Sequence, residues 1–544
     1  MVGKNTVLLT IISGLLLLVI TSGLMSFPSV FPTGTTIYYP EKAWNGYTIH
    51  DAPDGHGAIL IDMNGNVVKQ WKEISSVPGP FRILPGGYIM GGDVPREPHQ
   101  EAIALKQLTW EGEEVWQYSQ MEQVVTEVDE EGVGGETVWS SRQHHDWQRE
   151  GNPVGYFAPE MEPLISEGRT LVLAHKNVTV PEISPRRLED DYIYEINWEG
   201  ELIWEWLASD HVEEMGFSER ARNAIHRSVR WNEDRQSADW LHINSVSYLG
   251  PNKWYDQGDA RFNPENIIFS SRAANIIGII NRVGNIVWQL GPDYSISEST
   301  KKLGQIIGQH NPHIIPKGLP GEGNILVFDN GGSAGYGFAD PAAPDGRDSV
   351  RRDFSRVLEF DPVTLEIIWE YSISGSEKFR FFSHYVSNAQ RLPNGNTMVT
   401  EGSDGRIFEL TEDKQIAIKL FVTDINSNSL IYTIISQPKN GTLSGTPPVL
   451  IYKPNENYNG TDNLIFKAND GELDSNTATI NITVIPVNDQ PIIPPDAALT
   501  LQVVEDSIST PIKLAAIDHD GDELTYHIVS YPINGTLSGK APEL

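Results

Sequence analysis

The sequence predicts an all-β chain: a β-propeller of about six blades over residues 40–411, followed by β-sandwich repeats. Three observations carry this. A hairpin ending in tryptophan recurs through the first three quarters of the chain, a second strand–turn–strand unit precedes each copy, and the tail repeats itself at a fixed offset. The 544 residues are 39% hydrophobic, which is enough for several cores, and 48 Gly with 35 Pro in no short period suit turn-dense β structure.

The elements follow in order. Thr6 to Phe27 is an uncharged, mostly apolar stretch behind Lys4, long enough to span a bilayer as a helix. Residues 1–30 therefore read as a signal peptide or retained membrane anchor, and the chain as exported to the cell envelope or beyond. The hairpin unit then appears as Ala58 to Val68, Leu108 to Trp116, Ile193 to Trp204, Ile277 to Trp288 and Val357 to Trp369. In the last four copies the Trp lies four residues after a turn position, held by Gly112, Gly200, Gly284 and Leu365. Apolar residues recur two further on, at Tyr118, Trp206, Leu290 and Tyr371, as alternation on one strand face requires. Preceding units begin at Arg82, Glu167, Asn266, Gly323 and Leu392. Two hairpins in tandem make a four-stranded antiparallel blade, and radial closure leaves no long exposed edge.

From about Glu412 tryptophan vanishes. Asp424 to Leu450 aligns with Asp518 to Leu544 at an offset of 94 residues, giving one sandwich repeat at 412–491 and an incomplete one at 492–544. Because Ile418-Lys-Leu matches Ile512-Lys-Leu at that offset, this strand belongs to the sandwich. The last blade then lacks its Val-Trp strand, and closure falls to the N-terminal segment Gly46 to Trp71.

Charge and composition exclude much. With 40 Lys and Arg against 73 acidic residues the formal charge is −33, which disfavours nucleic-acid partners. There is no cysteine, so thiolate nucleophiles, disulfides, Cys-ligated zinc and iron–sulfur clusters are ruled out.

Histidines precede the innermost strands of successive blades: His144 and His145, His242, His310 and His313, and His384. Those strands converge on a central channel, so their entrances meet although they are distant in sequence. Neutral imidazole is a nucleophile and a proton carrier. Arg272, Arg356, Asn244 and Asn330 supply donors for an oxygen-rich transition state. The same residue types also suit a zinc or copper site, either at His144, His145 and Asp146 or at His310 and His313, although no zincin spacing occurs.

Asp239-Trp-Leu-His-Ile-Asn-Ser-Val246, Ser270-Ser-Arg272, the Asn281 to Gly291 segment, Gly308-Gln-His310, Val327-Phe-Asp-Asn-Gly331 and Ser355-Arg-Val-Leu-Glu-Phe360 resemble, in order, the motifs of the arylsulfotransferase family. The likeness spans roughly residues 45 to 410. It implies a six-bladed propeller that moves a sulfuryl group from a phenolic sulfate to a phenol through a sulfated channel histidine, with no cofactor. It places His242, His310, Arg272 and Asn244 in the site. The family's D-N-G-x-x-R arginine has no counterpart, leaving Arg356 as the nearest substitute. The sulfated histidine of the family comes from a later blade, where His384 stands without the family's local motif. His384, or failing that His242, is the expected nucleophile; His310, Arg272 and Arg356 would hold the sulfuryl oxygens, with His145, His313 and Asn330 lining the substrate.

The tail resembles bacterial cadherin-like and immunoglobulin-like repeats. Asp518, Asp520 and Asp522 with Asn488 and Asp489 offer hard oxygen ligands for Ca²⁺ between domains; ordinary acidic turns are the alternative. Two other readings of the whole stay open: a quinoprotein dehydrogenase, and an inactive surface adhesin that binds glycan or protein ligands.

Overall fold

The computed structural model describes residues 35–411, except 36–37, 41, 53–56, 76–78, 94–100, 126–134, 233–236 and 374. It also describes residues 416–542, except 420–429, 448, 456, 472, 485–491, 495–503, 506–511, 518–523, 529 and 540–541. The apolar segment Thr6 to Phe27 and the five expected Ca²⁺ ligands, Asn488, Asp489, Asp518, Asp520 and Asp522, lie outside the described residues. Among those described, no helix is long and apolar enough to cross a membrane. The chain divides into two units, Met1–Glu412 and Asp413–Leu544.

The first unit is all-β. Six antiparallel meanders follow one another along the chain. Sheet I holds Thr48–Asp51, Ala58–Ile61 and Val67–Trp71. Sheet II holds Arg82–Leu84, Tyr88–Gly92, Leu105–Leu108 and Glu114–Tyr118. Sheet III has Gln143–Arg149, Thr170–Val178, Leu188–Ile196 and Leu202–Leu207. It is widened by Ser237–Asp239, which pairs parallel to Leu188–Ile196, and by Arg230–Asn232 beyond it. Sheet IV has Ile243–Tyr248, Ile267–Ser271, Ile276–Ile280 and Ile286–Leu290. Sheet V has His310–Ile314, Ile325–Asp329, Arg356–Phe360 and Ile367–Ser372. Sheet VI has Asn388–Arg391, Thr397–Glu401 and Arg406–Leu410.

Strand alternation explains how these sheets stack. On Thr170–Val178, Leu171 and Leu173 join the core shared with Ile267 and Phe269, while Val172 and Ala174 join the core shared with Met90 and Trp116. Ile268, Ile277 and Ile279 then face Val327 and Phe360, and Leu326 and Phe328 face Ala389 and Val399. Each middle strand is thus buried on both sides and feeds a different seam with odd and even residues.

The repeated tryptophans lock those seams. The Nε1–H of Trp71 donates to Thr109 O, that of Trp116 to Trp198 O, that of Trp206 to Gly284 O and that of Trp288 to Pro362 O, each in the outer hairpin of the next sheet. The anticipated turn positions are left-handed, with φ of +97° at Gly112, +85° at Gly200, +96° at Gly284 and +62° at Leu365.

Sheet VI has three strands, and the N-terminal segment reaches it ahead of sheet I. Asn394 and Asn396 donate to Lys42 O, and Trp44 N donates to the Glu409 carboxylate. Gly46 to Trp71, expected to close the last sheet, contributes sheet I instead.

In the second unit, Ile416–Lys419 pairs with Val449–Pro454, which pairs with Gly441–Thr446; Ile431–Ser436 pairs with Gly460–Asn469, which pairs with Ala478–Val484. Leu450, Leu464 and Phe466 form its core. The strand around Ile418 therefore belongs to the tail.

Candidate active site

The first strands of sheets III to VI lie side by side, Gln143–Arg149 against Ile243–Tyr248, that strand against His310–Ile314, and that in turn against Asn388–Arg391. The first three are irregular near the same end: the register shifts between Gln143 and Trp147, between Ile243 and Ser245, and between His310 and His313. Left-handed residues accompany the shifts, with φ of +54° at His145, +50° at His242 and +51° at Asn311. A bulge re-aims the side chains at a strand end. Holding a non-glycine residue at positive φ costs on the order of 1–3 kcal/mol, which concentrates strain at this end of the sheets.

His242 is held from behind. Its Nδ1 lies 2.5 Å from Asp239 Oδ2, so Nδ1–H donates to the carboxylate, and the lone pair of the neutral ring falls on Nε2. Burial opposes the Asp239 charge, yet the hydrogen bond to His242 and the nearby His175 and Arg230 overcome it and hold the carboxyl well below the usual range. The segment is pinned on both sides, since Trp240 Nε1 donates to Asp190, Ile243 N donates to Asp191 and Arg272 N donates to His242 O.

His310 is set in the same way by a neutral partner. Its Nδ1 is 2.7 Å from Asn330 Oδ1 and 3.1 Å from Gly308 O. The Asn330 amide cannot turn around, because its Nδ2 donates to Ser383 O and Val386 O. Both His310 partners are acceptors, so the proton sits on Nδ1 and Nε2 is unprotonated. Burial, with Arg272 and His242 nearby, pushes the His310 pKa down to about 3 despite the Asn330 bond.

The His145 ring stands 4.6 Å from that of His242 at 77°. Burial first, then the neighbouring His242 and His310 rings, pushes its pKa down. Arg272 Nη2 reaches His384 O at 3.5 Å. His384 is exposed, beside Phe382 and Tyr385, and burial together with Arg272 lowers its pKa. Its neighbour Gly332, at φ +72°, would place a Cβ 2.9 Å from His384 Cβ, which is why the Asp-Asn-Gly-Gly turn carries no side chain there. His145, His242, His310, Arg272 and His384 therefore share one electrostatic neighbourhood.

Other anticipated residues lie elsewhere or act indirectly. Arg356 is bound to Asp329 at 2.7 Å and donates to the carbonyls of Leu303 and Gln305, which end the helix Glu298–Leu303. Arg352 clasps the same Asp329, so neither guanidinium supplies the missing family arginine. His313 has both nitrogens engaged, Nε2 with Tyr156 OH at 2.8 Å and Nδ1 with Asn311 O. Asn330 positions His310. Asn244 Nδ2 donates to Gln309 O and ties sheets IV and V together, while its Oδ1 is buried without a partner.

The two metal sets read from sequence do not form. Asp146 is taken by Arg82, Trp147 N and Val246 N, and His310 and His313 are held by different partners. Sequence reasoning missed two residues. Asp239 was visible as the acid three positions before His242. Arg230, paired across the strand with Asp239, had no signal.

Residues 163–432 match the family model described as Arylsulfotransferase (ASST), and residues 396–483 match that of a bacterial Ig domain. No curated protein matches. Among solved structures, a protein of unknown function from Bacteroides caccae is 11% identical at a TM-score of 0.31, over 69% of this chain and 88% of that one. Virginiamycin B lyase from Staphylococcus aureus is 11% identical at a TM-score of 0.23, over 62% of this chain and 84% of that one. These structural likenesses are too remote to carry any argument.

Proposed function

Through residues 163–432 the chain belongs to the arylsulfotransferase family, with a bacterial Ig domain behind it, and from that premise we propose that it transfers a sulfuryl group from a phenolic sulfate to a phenolic acceptor. The first unit is read as a six-bladed propeller whose blades are sheets I to VI, exported to the cell envelope. The observation that supports this is the meeting of imidazoles and one guanidinium at the bulged ends of the first strands of sheets III to V.

His242 is the nucleophile in this reading. Its Nε2 lone pair attacks sulfur, an N–S bond forms, the S–O(aryl) bond breaks and phenolate leaves, taking a proton from solvent. The ring then carries positive charge, which Asp239 at 2.5 Å stabilises; His310, facing a neutral amide, lacks that support. Arg272 with His145 contacts the sulfuryl oxygens as charge redistributes. In the return step His384, neutral at pH 7, takes the proton of the acceptor phenol as its oxygen attacks sulfur and the N–S bond breaks.

A second reading makes His384 the nucleophile, favoured by its exposure beside Arg272. Nitrophenyl sulfate distinguishes the readings. The wild type should release nitrophenolate faster with added phenol, and His242→Ala should abolish release while His384→Ala slows only acceptor turnover. Absence of wild-type turnover, or full turnover by His242→Ala, would count against the assignment; an adhesin would bind without releasing product.

A further inference from the structure

One guanidinium, Arg272, stands among the imidazoles, whereas a sulfate ester presents three oxygens that share a negative charge. A second guanidinium lies across a strand pair from Asp239. Arg230 is directly opposite Asp239 where Arg230–Asn232 pairs antiparallel with Ser237–Asp239. Residues so paired send their side chains to the same face, with Cβ atoms about 5 Å apart, and on that face Asp239 holds His242. The Arg230 side chain is 42% exposed and loosely tied. Only its Nη2 is engaged, 3.3 and 3.4 Å from the two Asp348 carboxylate oxygens, and Nε and Nη1 have no partner among the described residues. From this juxtaposition, and resting on the reading of the site as one for sulfuryl transfer, we infer that Arg230 is a second substrate-contacting guanidinium, which closes with Arg272 on the anionic sulfate group of the donor.

Asp348 keeps Arg230 near the site. It belongs to the hairpin of Gly332–Tyr336 with Arg347–Arg352 and falls within the register shift opposite Gly335, at φ +54°, the kind of irregularity that re-aims a side chain. That hairpin is fastened to the site's own residues. Gly332 adjoins His384, Gly335 N donates to the carbonyl of Ala273, next to Arg272, and Tyr336 OH donates to the carbonyl of Trp240, next to Asp239. Arg347 Nη1 donates to the carbonyl of Ser228, two residues before Arg230. Arg230 and Asp348 are therefore bracketed by the neighbours of Arg272 and His242. The two guanidiniums act on each other: burial, and then Arg230, lower the Arg272 pKa against the pull of Asp348 and Asp239. An anion between two such cations relieves their repulsion. The planar fork of arginine donates to two oxygens at once, which suits a sulfuryl group. A long, half-exposed ion pair such as Arg230 with Asp348 is weak, so Asp348 gives way when the donor enters.

The test measures binding and turnover of nitrophenyl sulfate separately on the full chain. By calorimetry R230Q should bind it about ten- to a hundredfold more weakly than the wild type, with melting unchanged. R230K should recover part of the loss. R227Q, which removes an equal charge from an exposed position on the neighbouring helix Glu219–Ser228, should bind as the wild type does. D348N frees the guanidinium and should bind about two- to fivefold more tightly. Wild-type affinity in R230Q, an equal loss in R227Q, or no binding by the wild type overturns the role. Should R230Q fail to fold, D348N decides: tighter binding supports the role and weaker binding refutes it. If R230Q loses binding but the wild type releases no nitrophenolate, sulfuryl transfer fails while Arg230 stands as the anion contact.

Discussion

The two ends of the sheets use the same backbone conformation for opposite purposes. At the outer hairpins the left-handed positions are mostly glycine, at Gly65, Gly112, Gly200 and Gly284, with Leu365 as the exception. At the inner ends they are Arg142, His145, His242 and Asn311. Glycine reaches positive φ at little steric cost, whereas an L side chain there costs about 1–2 kcal/mol. The outer turns only reverse the chain, so they take the unstrained residue. The inner ends place His145 and His242, side chains of the candidate site, in that conformation, which also occurs away from those ends at Glu160 and Glu167.

The sharpest way to break this contrast is to leave the strain and remove what it positions. Asp239→Asn keeps the shape but no longer fixes His242 as an Nδ1–H tautomer with a stabilised cation. The rate of aryl-sulfate cleavage should fall about 10²- to 10⁴-fold, with melting little changed. Single-turnover kinetics beside a thermal melt checks this, and equal losses in both would make Asp239 merely structural.

Next in size is Asn330→Leu, which removes the Oδ1 acceptor of His310 Nδ1 and the Nδ2 donor to Ser383 O and Val386 O. A loss of about 2–3 kcal/mol is expected in denaturant unfolding, with a smaller rate effect than at Asp239.

The pH dependence of stability is of similar size. Burial lowers His310 to about 3 and His313 to about 4, below the ~6.5 of an unfolded chain. As pH falls below ~6.5 the unfolded state takes up protons that the folded state refuses. Stability that is complete above ~6.5 is then lost progressively toward pH 4 and 3, by at most about 5 kcal/mol for His310 and about 3 kcal/mol for His313. Melts of His313→Gln should show a shallower decline from pH 6.5 to 4 than the wild type.

The smallest effect tests the outer end directly. A Cβ at Gly284 would meet nothing nearer than 3.9 Å, so Gly284→Ala reports the backbone alone and should cost ~1 kcal/mol. Asn311→Gly at the inner end should change stability by less than ~0.5 kcal/mol, because asparagine tolerates this conformation best. Equal costs at both positions would erase the distinction.

Much of the fold was legible because it rests on local pattern. Alternation and the Gly-x-x-x-Trp spacing marked the outer hairpins, and the tryptophans proved to be the seams between sheets. The 94-residue repeat by itself assigned Ile418 to the tail. The histidines were legible as a set, since His145, His242, His310 and His384 fall at equivalent strand ends. Their partners were less so. Arg356 read as a substrate ligand because sequence does not reveal that Asp329 faces it across a strand pair. His313 lies three residues from His310, but a register shift at a left-handed Asn311 separates their surroundings.

The central claim is that the strained inner end hosts group transfer through an imidazole. It is tested most directly by quenching the first turnover with isotope-labelled aryl sulfate and mapping the labelled peptide. The account predicts one acid-labile sulfo-group per chain on His242, discharged by added phenol. Label on a residue away from these strand ends, or no label while product forms, would contradict it.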